Sequence, residues 1–388
     1  MPNLPIYLDH HATTPVDPRV VESMLPFFSE SFGNASSKHH SFGWSARDAV
    51  AKARRQVAEL IGADPREIFF TSGATESNNL AVRGVVTADT DRQSHVVTIA
   101  TEHHAVLDPC RRLEQEGVEV TYVSPKKDGI CDLRDIERVL LPHTRLVSVM
   151  TANNEIGVLQ PIDQISELTR SRGILFHTDA AQAAGKVPVD VKTFGVDLMS
   201  LTAHKMCGPK GVGALYIRRT RPRVKVSPIV EGGGHEQGLR SGTLNVPGIV
   251  GFGTAAELSH LEMKQESVRI GRLRDRLYAG LSGKIGGVKV NGSLVERLPH
   301  NLNVSFDGVE GESLLVGLDD IAVSSGAACT SETPEPSHVL RALGVNDHLA
   351  RASLRFGLGR ATTEAEIDYA IEKVSSLVVR LRELVPRV

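Results

Sequence analysis

Short, continuous apolar runs recur through the middle of the chain, and they predict buried β-strands. Apolar residues that follow one another without polar alternation are typical of strands covered on both faces. The predicted strands are residues 67–71, 95–101, 118–123, 145–151, 173–178, 196–201 and 212–217. Helix-like stretches such as DLRDIERVL separate several of these runs. The alternation predicts an α/β architecture with a mostly parallel sheet and helices on both of its faces.

The clearest amphipathic segment before the first of these strands covers residues 45–61. It places Val50, Val57 and Leu60 on one face, which is the spacing of a helix that packs on a core. Ser45 is the expected N-cap of this helix, and Gly62 is the expected stop.

The pattern changes after about residue 253. Two long amphipathic segments, 254–282 and 363–384, bracket strand candidates at 301–306, 321–324 and 352–356. Thr363 and Glu366 have the spacing of a capping box at the start of the last helix. We therefore expect a large α/β domain followed by a smaller α+β domain. The hydrophobic pattern does not place the first few dozen residues in either domain.

Charge and cysteine content exclude several classes of function. The chain has 388 residues and a formal charge of −2, so no basic field favours nucleic acid or an anionic membrane surface. We expect no secretory signal, because the first residues lack an apolar core, and no membrane span. Cys110, Cys131, Cys207 and Cys329 are widely spaced. This spacing excludes a disulfide scaffold and favours the reducing cytoplasm.

Two motifs at predicted strand ends carry candidate chemistry. In TSGATES (71–77), Gly73 allows a tight turn before a helix, whose free N–H groups favour an anion such as phosphate; a simple capped helix is the alternative. In TAHKMCGPKG (202–211), Lys205 follows an apolar strand, where burial lowers a lysine pKa. A neutral amine of this kind forms Schiff bases, although a solvated loop lysine is the commoner case.

Two further strand ends carry Asp179 and His103. Asp179, in HTDAAQAAG, precedes a predicted helix that contains Gln182; it has the chemistry to pair with a cationic ring nitrogen, or it is an ordinary N-cap. His103, in TEHHAVLDP, suits stacking on a ring or proton transfer. Ligands of open α/β sheets bind beyond the carboxyl ends of the strands, where Asp179, His103 and Lys205 all lie.

Metal binding is disfavoured, and two loops remain open to interpretation. Adjacent histidine pairs seldom bind one ion, and no spaced acidic partner accompanies them. The glycine-rich segment 231–243 is either a flexible loop or a backbone surface that brings Thr243 to a phosphate. Cys329 lies among Gly, Ala and Ser, which suits an accessible nucleophile, although free cysteines are often small buried side chains.

Together these segments resemble the cysteine desulfurases of the NifS/IscS type, within the class V aminotransferase superfamily. The similarity runs along nearly the whole chain. It rests on LDHHATTPVDPRV, GADPREIFFTSGATESNNLA, TEHHAVLD, NNEIGVLQPI, DAAQAAGKVP, AHKMCGPKGVGALYIRR, GGGHEQGLRSGT, SSGAACTS, EPSHVLRALG and RFGLGR.

The resemblance implies a fold and an assignment of residues. The fold is that of type I pyridoxal phosphate (PLP)-dependent transferases, with a large cofactor-binding domain over residues 15–253. A smaller domain, from residues 1–14 and 254–388, carries the cysteine loop. Lys205 would hold pyridoxal 5′-phosphate as a Schiff base, His103 would stack on the ring and move protons, and Cys329 would be the nucleophile. The other implied cofactor residues are Ala74, Thr75, Asn154, Asp179, Gln182, Thr202, His204 and Thr243, and the implied substrate residues are Asn34 and Arg355.

The implied reaction converts L-cysteine to L-alanine and leaves the sulfur as a persulfide on Cys329. The sulfur would then pass to an iron–sulfur cluster scaffold or another acceptor protein. Thr243 would reach the phosphate of the neighbouring subunit, which implies a homodimer. The alternatives are a selenocysteine lyase, another class V enzyme such as an aminotransferase, or a non-catalytic scaffold. His104, Ala35 and the Met206–Cys207 pair depart from the usual family pattern, and none of them is an assigned catalytic group.

Overall fold

A computed structural model describes residues 2, 4–88, 93–220, 222–325 and 335–384 of the chain. The helices in these ranges are α1 (Pro18–Met24), α2 (Pro26–Ser29), α3 (Ser41–Leu60), α4 (Ala74–Thr87), α5 (His104–Gln115), α6 (Leu133–Val139), α7 (Ile162–Ser171), α8 (Val191–Phe194), α9 (Val246–Lys284), α10 (Gly311–Val316), α11 (His338–Ala342), α12 (Asp347–Arg351) and α13 (Glu364–Leu384). The strands are β1 (Ile6–Tyr7), β2 (Ile68–Thr71), β3 (His95–Ile99), β4 (Glu119–Val123), β5 (Thr144–Ser148), β6 (Leu175–Asp179), β7 (Leu198–Thr202), β8 (Gly213–Ile217), β9 (Val288–Val290), β10 (Asn301–Phe306), β11 (Ile321–Ala322), β12 (Ser324–Ser325) and β13 (Ser353–Gly357).

The seven runs predicted as strands form one seven-stranded sheet in the order β2-β8-β7-β6-β5-β3-β4. Strands β3 to β7 pair in parallel, which confirms the mostly parallel sheet. Strand β8 runs antiparallel to both β7 and β2. Only residues 203–212 connect β7 to β8. This connection is shorter than the dozen or more residues that a parallel crossover needs.

Successive residues of the sheet strands point into two different hydrophobic clusters. Val97 and Val147 belong to the cluster that α3 covers, whereas Val96 and Leu146 belong to the cluster that α4 and α5 cover. This alternation follows from the two-residue period of a strand. Helices therefore cover both faces of the sheet, as the sequence predicts.

A smaller antiparallel sheet, in the order β12-β13-β10-β9, forms the second core. Its inward side chains, such as Val304 and Leu354, pack with α13 and with the later part of α9. Ile6 and Leu8 belong to the same cluster, and β1 pairs in parallel with β11. The predicted domain boundary at residue 253 falls inside α9, whose first part packs in the large cluster around α3. That boundary stays a prediction.

The predicted start of α3 is wrong. The helix begins at Ser41, and the Nδ1 atom of His40 caps it by accepting from the Gly43 N–H at 3.2 Å. Ser45 therefore lies inside the helix. Gly43, a poor helix former, obscures this first turn in the sequence. A Cβ atom at Gly43 would lie 2.1 Å from the Ser37 carbonyl oxygen, so a tertiary contact requires glycine here.

The capping box of α13 is confirmed. The Thr363 N–H donates to the Glu366 carboxylate at 2.7 Å, and the Thr363 hydroxyl accepts from the Glu366 N–H at 3.3 Å. Within the described part of the chain, no helix has the length and apolar composition needed to cross a membrane.

Phe306 is fully buried in the small-domain cluster, and Val316 is 75% exposed. We expect Phe306→Ala to lower the free energy of unfolding by about 3–5 kcal/mol, because it removes buried apolar surface and leaves a cavity. Val316→Ala, the control, should change it by less than about 0.5 kcal/mol. Urea unfolding followed by circular dichroism measures both effects, and equal midpoints for the two variants would contradict the assigned core.

Candidate active site

A cavity of about 630 Å³ opens beyond the carboxyl ends of the parallel strands. Strands β6 and β7 end at its wall with Asp179 and Thr202, and the turn after β2 reaches it from the other side. Most of the site residues predicted from the sequence line this one cavity. They are Ala74, Thr75, His103, Asn154, Asp179, Gln182, Thr202, His204, Lys205 and Arg355.

The first turn of α4 forms a part of the cavity wall that suits an anion. Gly73 precedes α4 with φ +155°, and the first hydrogen bond of the helix runs from the Ser77 N–H to the Gly73 carbonyl at 3.1 Å. The N–H groups of Ala74 and Thr75 therefore have no partner within the helix. The hydroxyl of Thr202 lies 4.0 Å from where a Cβ atom on Gly73 would stand. N–H groups, a hydroxyl and the helix dipole suit a phosphate.

Lys205 lines this cavity from a short 3₁₀ turn after β7. Its Nζ atom donates to the carbonyl oxygens of His11 and Ala12, the latter at 2.7 Å. Burial, and then the nearby Arg355 charge, lower the pKa of Lys205 to about 8, although two aspartates oppose the shift. The neutral fraction of the amine near neutral pH is therefore larger than for a lysine in water, and the neutral amine is the form that attacks a carbonyl group.

The buried carboxylate of Asp179 is held by two donors. Its Oδ2 atom accepts from the Asn78 amide at 2.6 Å, and its Oδ1 atom accepts from the Ala181 N–H at 2.8 Å. The carboxylate can still accept a further hydrogen bond from the cavity, because each oxygen has two lone pairs. Asn78 was not predicted from the sequence. It is a buried polar residue on the helix that follows the TSGATES turn.

His103 caps helix α5, and this contact assigns its proton. The Nδ1 atom accepts from the Ala105 N–H at 3.0 Å, so the proton of the neutral ring lies on Nε2. Burial lowers the pKa of His103, and the Asp179 charge opposes this shift. The ring can therefore donate or accept a proton at Nε2 without losing its cap.

Gln182 lies in a series of turns, and the predicted helix after Asp179 is wrong. The N–H groups of Ala183 and Ala184 both donate to the Ala180 carbonyl, and Gly185 then takes a positive φ of 73°. This left-handed glycine ends the turn before a helix can extend. Two hydrogen bonds to His11, which the sequence reasoning did not identify, fix the amide group of Gln182.

Two residues that line the cavity have buried polar atoms without partners. Within the described residues, the Oδ1 atom of Asn154 accepts no hydrogen bond, and the Nε atom of Arg355 donates none. Arg355 also donates from Nη2 to Asp9 and Ser324, both at 2.8 Å, and from Nη1 to the Asn154 carbonyl at 2.9 Å. Buried polar atoms are rarely left unpaired, so these two atoms point to a polar ligand in the cavity.

Two predicted site residues, Asn34 and Thr243, are not part of the described cavity wall. Asn34 and Thr243 are both exposed and do not line it, and the Asn34 Oδ1 atom accepts from the Ser36 N–H at 2.9 Å. Cys329 lies outside the described residues. In the described ranges, no group of three or more His, Cys, Asp or Glu side chains is arranged to hold a metal ion.

Comparison with known proteins gives the same family as the motifs. Residues 6–370 match the family model described as aminotransferase class-V. A cysteine desulfurase IscS from Rickettsia felis is 52% identical over 385 residues, covering 99% of this chain and 94% of that protein. A cysteine desulfurase IscS from Anaeromyxobacter dehalogenans is 56% identical over 383 residues, covering 99% of this chain and 95% of that protein.

Solved structures extend the similarity to the fold. A structure titled NifS-like protein superposes with a TM-score of 0.90 at 38% identity, and the match covers 97% of this chain and 100% of that one. The family predicted from the motifs and the predicted fold class are both confirmed. The chain belongs to the class V aminotransferase family of pyridoxal phosphate-dependent enzymes.

Proposed function

We propose that the protein is a cysteine desulfurase, which converts L-cysteine to L-alanine and takes the sulfur as a persulfide on Cys329. One observation carries the proposal: a single cavity is lined by Lys205, with its lowered pKa, by the buried carboxylate of Asp179 and by the first turn of α4. The near full-length similarity to proteins named cysteine desulfurase IscS supports the choice of L-cysteine among the substrates of the family.

The cavity fits pyridoxal phosphate at each end. Lys205 would be the amine for its aldehyde, and Asp179 would be the acceptor for its pyridinium N–H. The free N–H groups of Ala74 and Thr75, with the Thr202 hydroxyl, would hold its phosphate. When bound, this cofactor withdraws electrons from the Cα atom of an attached amino acid.

Three more side chains complete the fit. His204 lines the phosphate end, and burial lowers its pKa to about 4, so its ring is neutral. Gln182 would contact the phenolic oxygen, and the unpaired Oδ1 atom of Asn154 would accept from the bound ligands. Every polar group of the cofactor thus has a chemically matched partner in the lining.

Lys205 and His103 are the groups that move protons in this account. The Lys205 amine accepts a proton from the substrate Cα and returns one to the carbon skeleton. His103 carries a proton at Nε2, because its Nδ1 atom is engaged by the Ala105 N–H. Both side chains line the same cavity, so the two proton-transfer groups reach a common substrate.

Arg355 is the proposed anchor of the substrate carboxylate. Its Nε atom is buried without a partner, and its Nη2 atom is shared between Asp9 and Ser324. A carboxylate that accepts from this guanidinium would satisfy the unpaired N–H group. Asn34 is proposed as a second contact, although it is exposed in the single chain.

The sulfur-transfer step balances with Cys329 as a thiolate. Its sulfur attacks the substrate sulfur, an S–S bond forms and the substrate C–S bond breaks. The electron pair of the C–S bond stays on Cβ, which takes a proton and becomes the methyl group of alanine. The products are therefore L-alanine and a persulfide on Cys329, with no external oxidant or reductant.

Ser324, which lies shortly before the Cys329 segment, contacts a residue of the cavity wall. Ser324 contacts Arg355, a lining residue, at 2.8 Å. Cys329 follows Ser325, the last described residue of that strand, by four positions, a reach of at most about 14 Å. This maximum distance supports the proposal that the Cys329 thiol approaches the substrate from the side of the small domain.

A homodimer is part of the proposal. Phe32 and Phe42 are 63% and 49% exposed, and their ring centroids lie 5.4 Å apart. Exposed aromatic side chains in contact are typical of an interaction surface. We place Thr243, which is exposed on its own chain, at the phosphate of the partner subunit. A cluster scaffold or other sulfur acceptor and a cytoplasmic location complete the proposed setting.

The test of the nucleophile uses Cys329→Ala with Cys110→Ala as the matched control, because Cys110 is fully buried. We expect Cys329→Ala to lower alanine formation from L-cysteine by at least about 10²-fold, since the attacking thiolate is lost. The control should retain most activity. Mass analysis of the wild-type protein should find one added sulfur on the peptide that carries Cys329. Full turnover in Cys329→Ala would contradict the assignment.

The same assay separates the alternatives. A desulfurase forms alanine from L-cysteine through Cys329, whereas a selenocysteine lyase would act on selenocysteine and leave L-cysteine intact. An aminotransferase would release a keto acid from its amino donor instead of alanine from cysteine. A purified protein without visible absorbance from bound cofactor would favour the non-catalytic scaffold.

The pKa of Lys205 makes recombination with cofactor pH-dependent. Only the neutral amine attacks the aldehyde, so the rate at which apoenzyme recovers visible absorbance should rise about tenfold per pH unit below 8 and level off above it. A small primary amine, measured in parallel, corrects for ionisation of the cofactor itself. A rate that keeps rising to pH 10 would indicate an ordinary lysine pKa and contradict the burial argument.

A further inference from the structure

A chain of buried polar side chains runs from the small domain to the back of Gln182. It starts at Arg297, passes through Asn301 at the beginning of β10 and through His11 after β1, and ends at Gln182. All four side chains are at most 7% exposed. It therefore links the core of the small sheet to the cavity wall formed after β6.

The first link fixes the orientation of the Asn301 amide. Arg297 Nη1 donates to the Asn301 Oδ1 atom at 2.9 Å. A guanidinium has donors only, so the atom that faces it must be the amide oxygen. The Nδ2 atom of Asn301 donates at the other side to the carbonyl oxygen of Glu155 at 3.0 Å. The Arg297 donor and the Glu155 acceptor therefore give the same orientation of the Asn301 amide independently.

The second link assigns the proton of His11. The Asn301 Nδ2 atom lies 3.0 Å from the His11 Nε2 atom. Because Nδ2 is a donor, Nε2 must be the acceptor, and the proton of the neutral ring lies on Nδ1. Burial holds the pKa of His11 well below its ordinary value, which keeps the ring neutral. Nδ1 then donates to the Gln182 Oε1 atom at 2.9 Å.

The third link fixes the amide of Gln182. Its Oε1 atom accepts from His11, and its Nε2 atom donates one N–H to the His11 carbonyl at 3.1 Å. A glutamine amide has two N–H bonds, so one remains for the cavity that Gln182 lines. A reversed amide would place two acceptors, Oε1 and the carbonyl oxygen, against each other.

Packing holds the His11 ring in the plane that this chain requires. The His300 ring stacks on it, with centroids 4.4 Å apart and an interplanar angle of 21°. Gly157, with φ +70°, lets the backbone approach the Asn301 side chain, where a Cβ atom would lie 2.3 Å from Cγ. The orientation of the amides and of the ring is therefore set before any ligand binds.

We propose that His11 is a positioning residue, which holds the Gln182 amide so that an N–H, and not the carbonyl oxygen, faces the phenolic oxygen of the cofactor. The inference rests on the proposed binding of pyridoxal phosphate. It assigns a role to a residue that need not touch the cofactor with its own ring. An N–H in this position stabilises negative charge on the phenolic oxygen, and an amide oxygen would repel it.

Two substitutions at His11 separate hydrogen bonding from packing. His11→Leu fills much of the ring volume and donates nothing to Gln182. His11→Asn places an amide nitrogen near the position of Nδ1 and retains that donor. Both variants lose the acceptor for Asn301, so any difference between them reports the bond to Gln182.

The readout is the pH midpoint at which the visible absorbance of the bound cofactor changes in the holoenzyme. Without the donor, the phenolic oxygen loses stabilisation of its charge and the adjacent nitrogen keeps its proton to higher pH. We expect the midpoint to rise by about one pH unit in His11→Leu, as for loss of one hydrogen bond to a charged group, and by less than about 0.3 in His11→Asn. An unchanged midpoint in His11→Leu overturns the inference.

A second test reads the tautomer of His11 in the wild-type protein. Nitrogen NMR of ¹⁵N-histidine-labelled apoenzyme should show its proton on Nδ1, with the signal assigned by its loss in His11→Asn. A proton on Nε2 overturns the inference and leaves the proposed function intact. Wild-type protein that acquires no visible absorbance with pyridoxal phosphate contradicts the proposed function itself, and with it this role of His11.

Discussion

The site depends on keeping the amine of Lys205 out of bulk water while leaving it free to react. A lysine amine in water is protonated at neutral pH and unreactive toward carbonyl groups. Here burial and the charge of Arg355 lower the pKa of Lys205 to about 8. The backbone carbonyls of residues 11 and 12 accept hydrogen bonds from the amine without adding negative charge. The N-terminal segment therefore orients the amine at little cost to its reactivity.

Both cores contribute to the cavity. The parallel sheet supplies Asp179 and Thr202 at adjacent strand ends, which makes their separation a property of the sheet itself. The small antiparallel sheet supplies Arg355 on β13, paired with Asn303 on β10. The residues of the site come from the large sheet and from the small sheet. The geometry of the site therefore depends on how these two parts pack against each other. The ion pair between Asp9 and Arg355, at 2.8 Å, adds a polar link between the N-terminal segment and β13.

The sequence predicts much of this structure where the signal is local. Continuous apolar runs identify the strands of the large sheet, and Asp179 and Lys205 are found because each follows such a run. The direction of β8 was not predicted, since it depends on the length of one connection. The N-cap of α3 was missed because a glycine and aromatic residues obscure the first turn. His11, Asn78 and Asp9 carry no local signature, because their partners lie far away in sequence; His11 and Asn301 are 290 positions apart.

The central claim is that Lys205 is the amine that holds the cofactor. Borohydride reduction of the holoenzyme fixes the cofactor to its lysine by reducing the carbon–nitrogen double bond, and peptide mass mapping then locates the label. The account predicts the pyridoxyl-phosphate mass on the peptide that contains Lys205. A label on Lys186 or Lys210, with Lys205 unmodified, would contradict it.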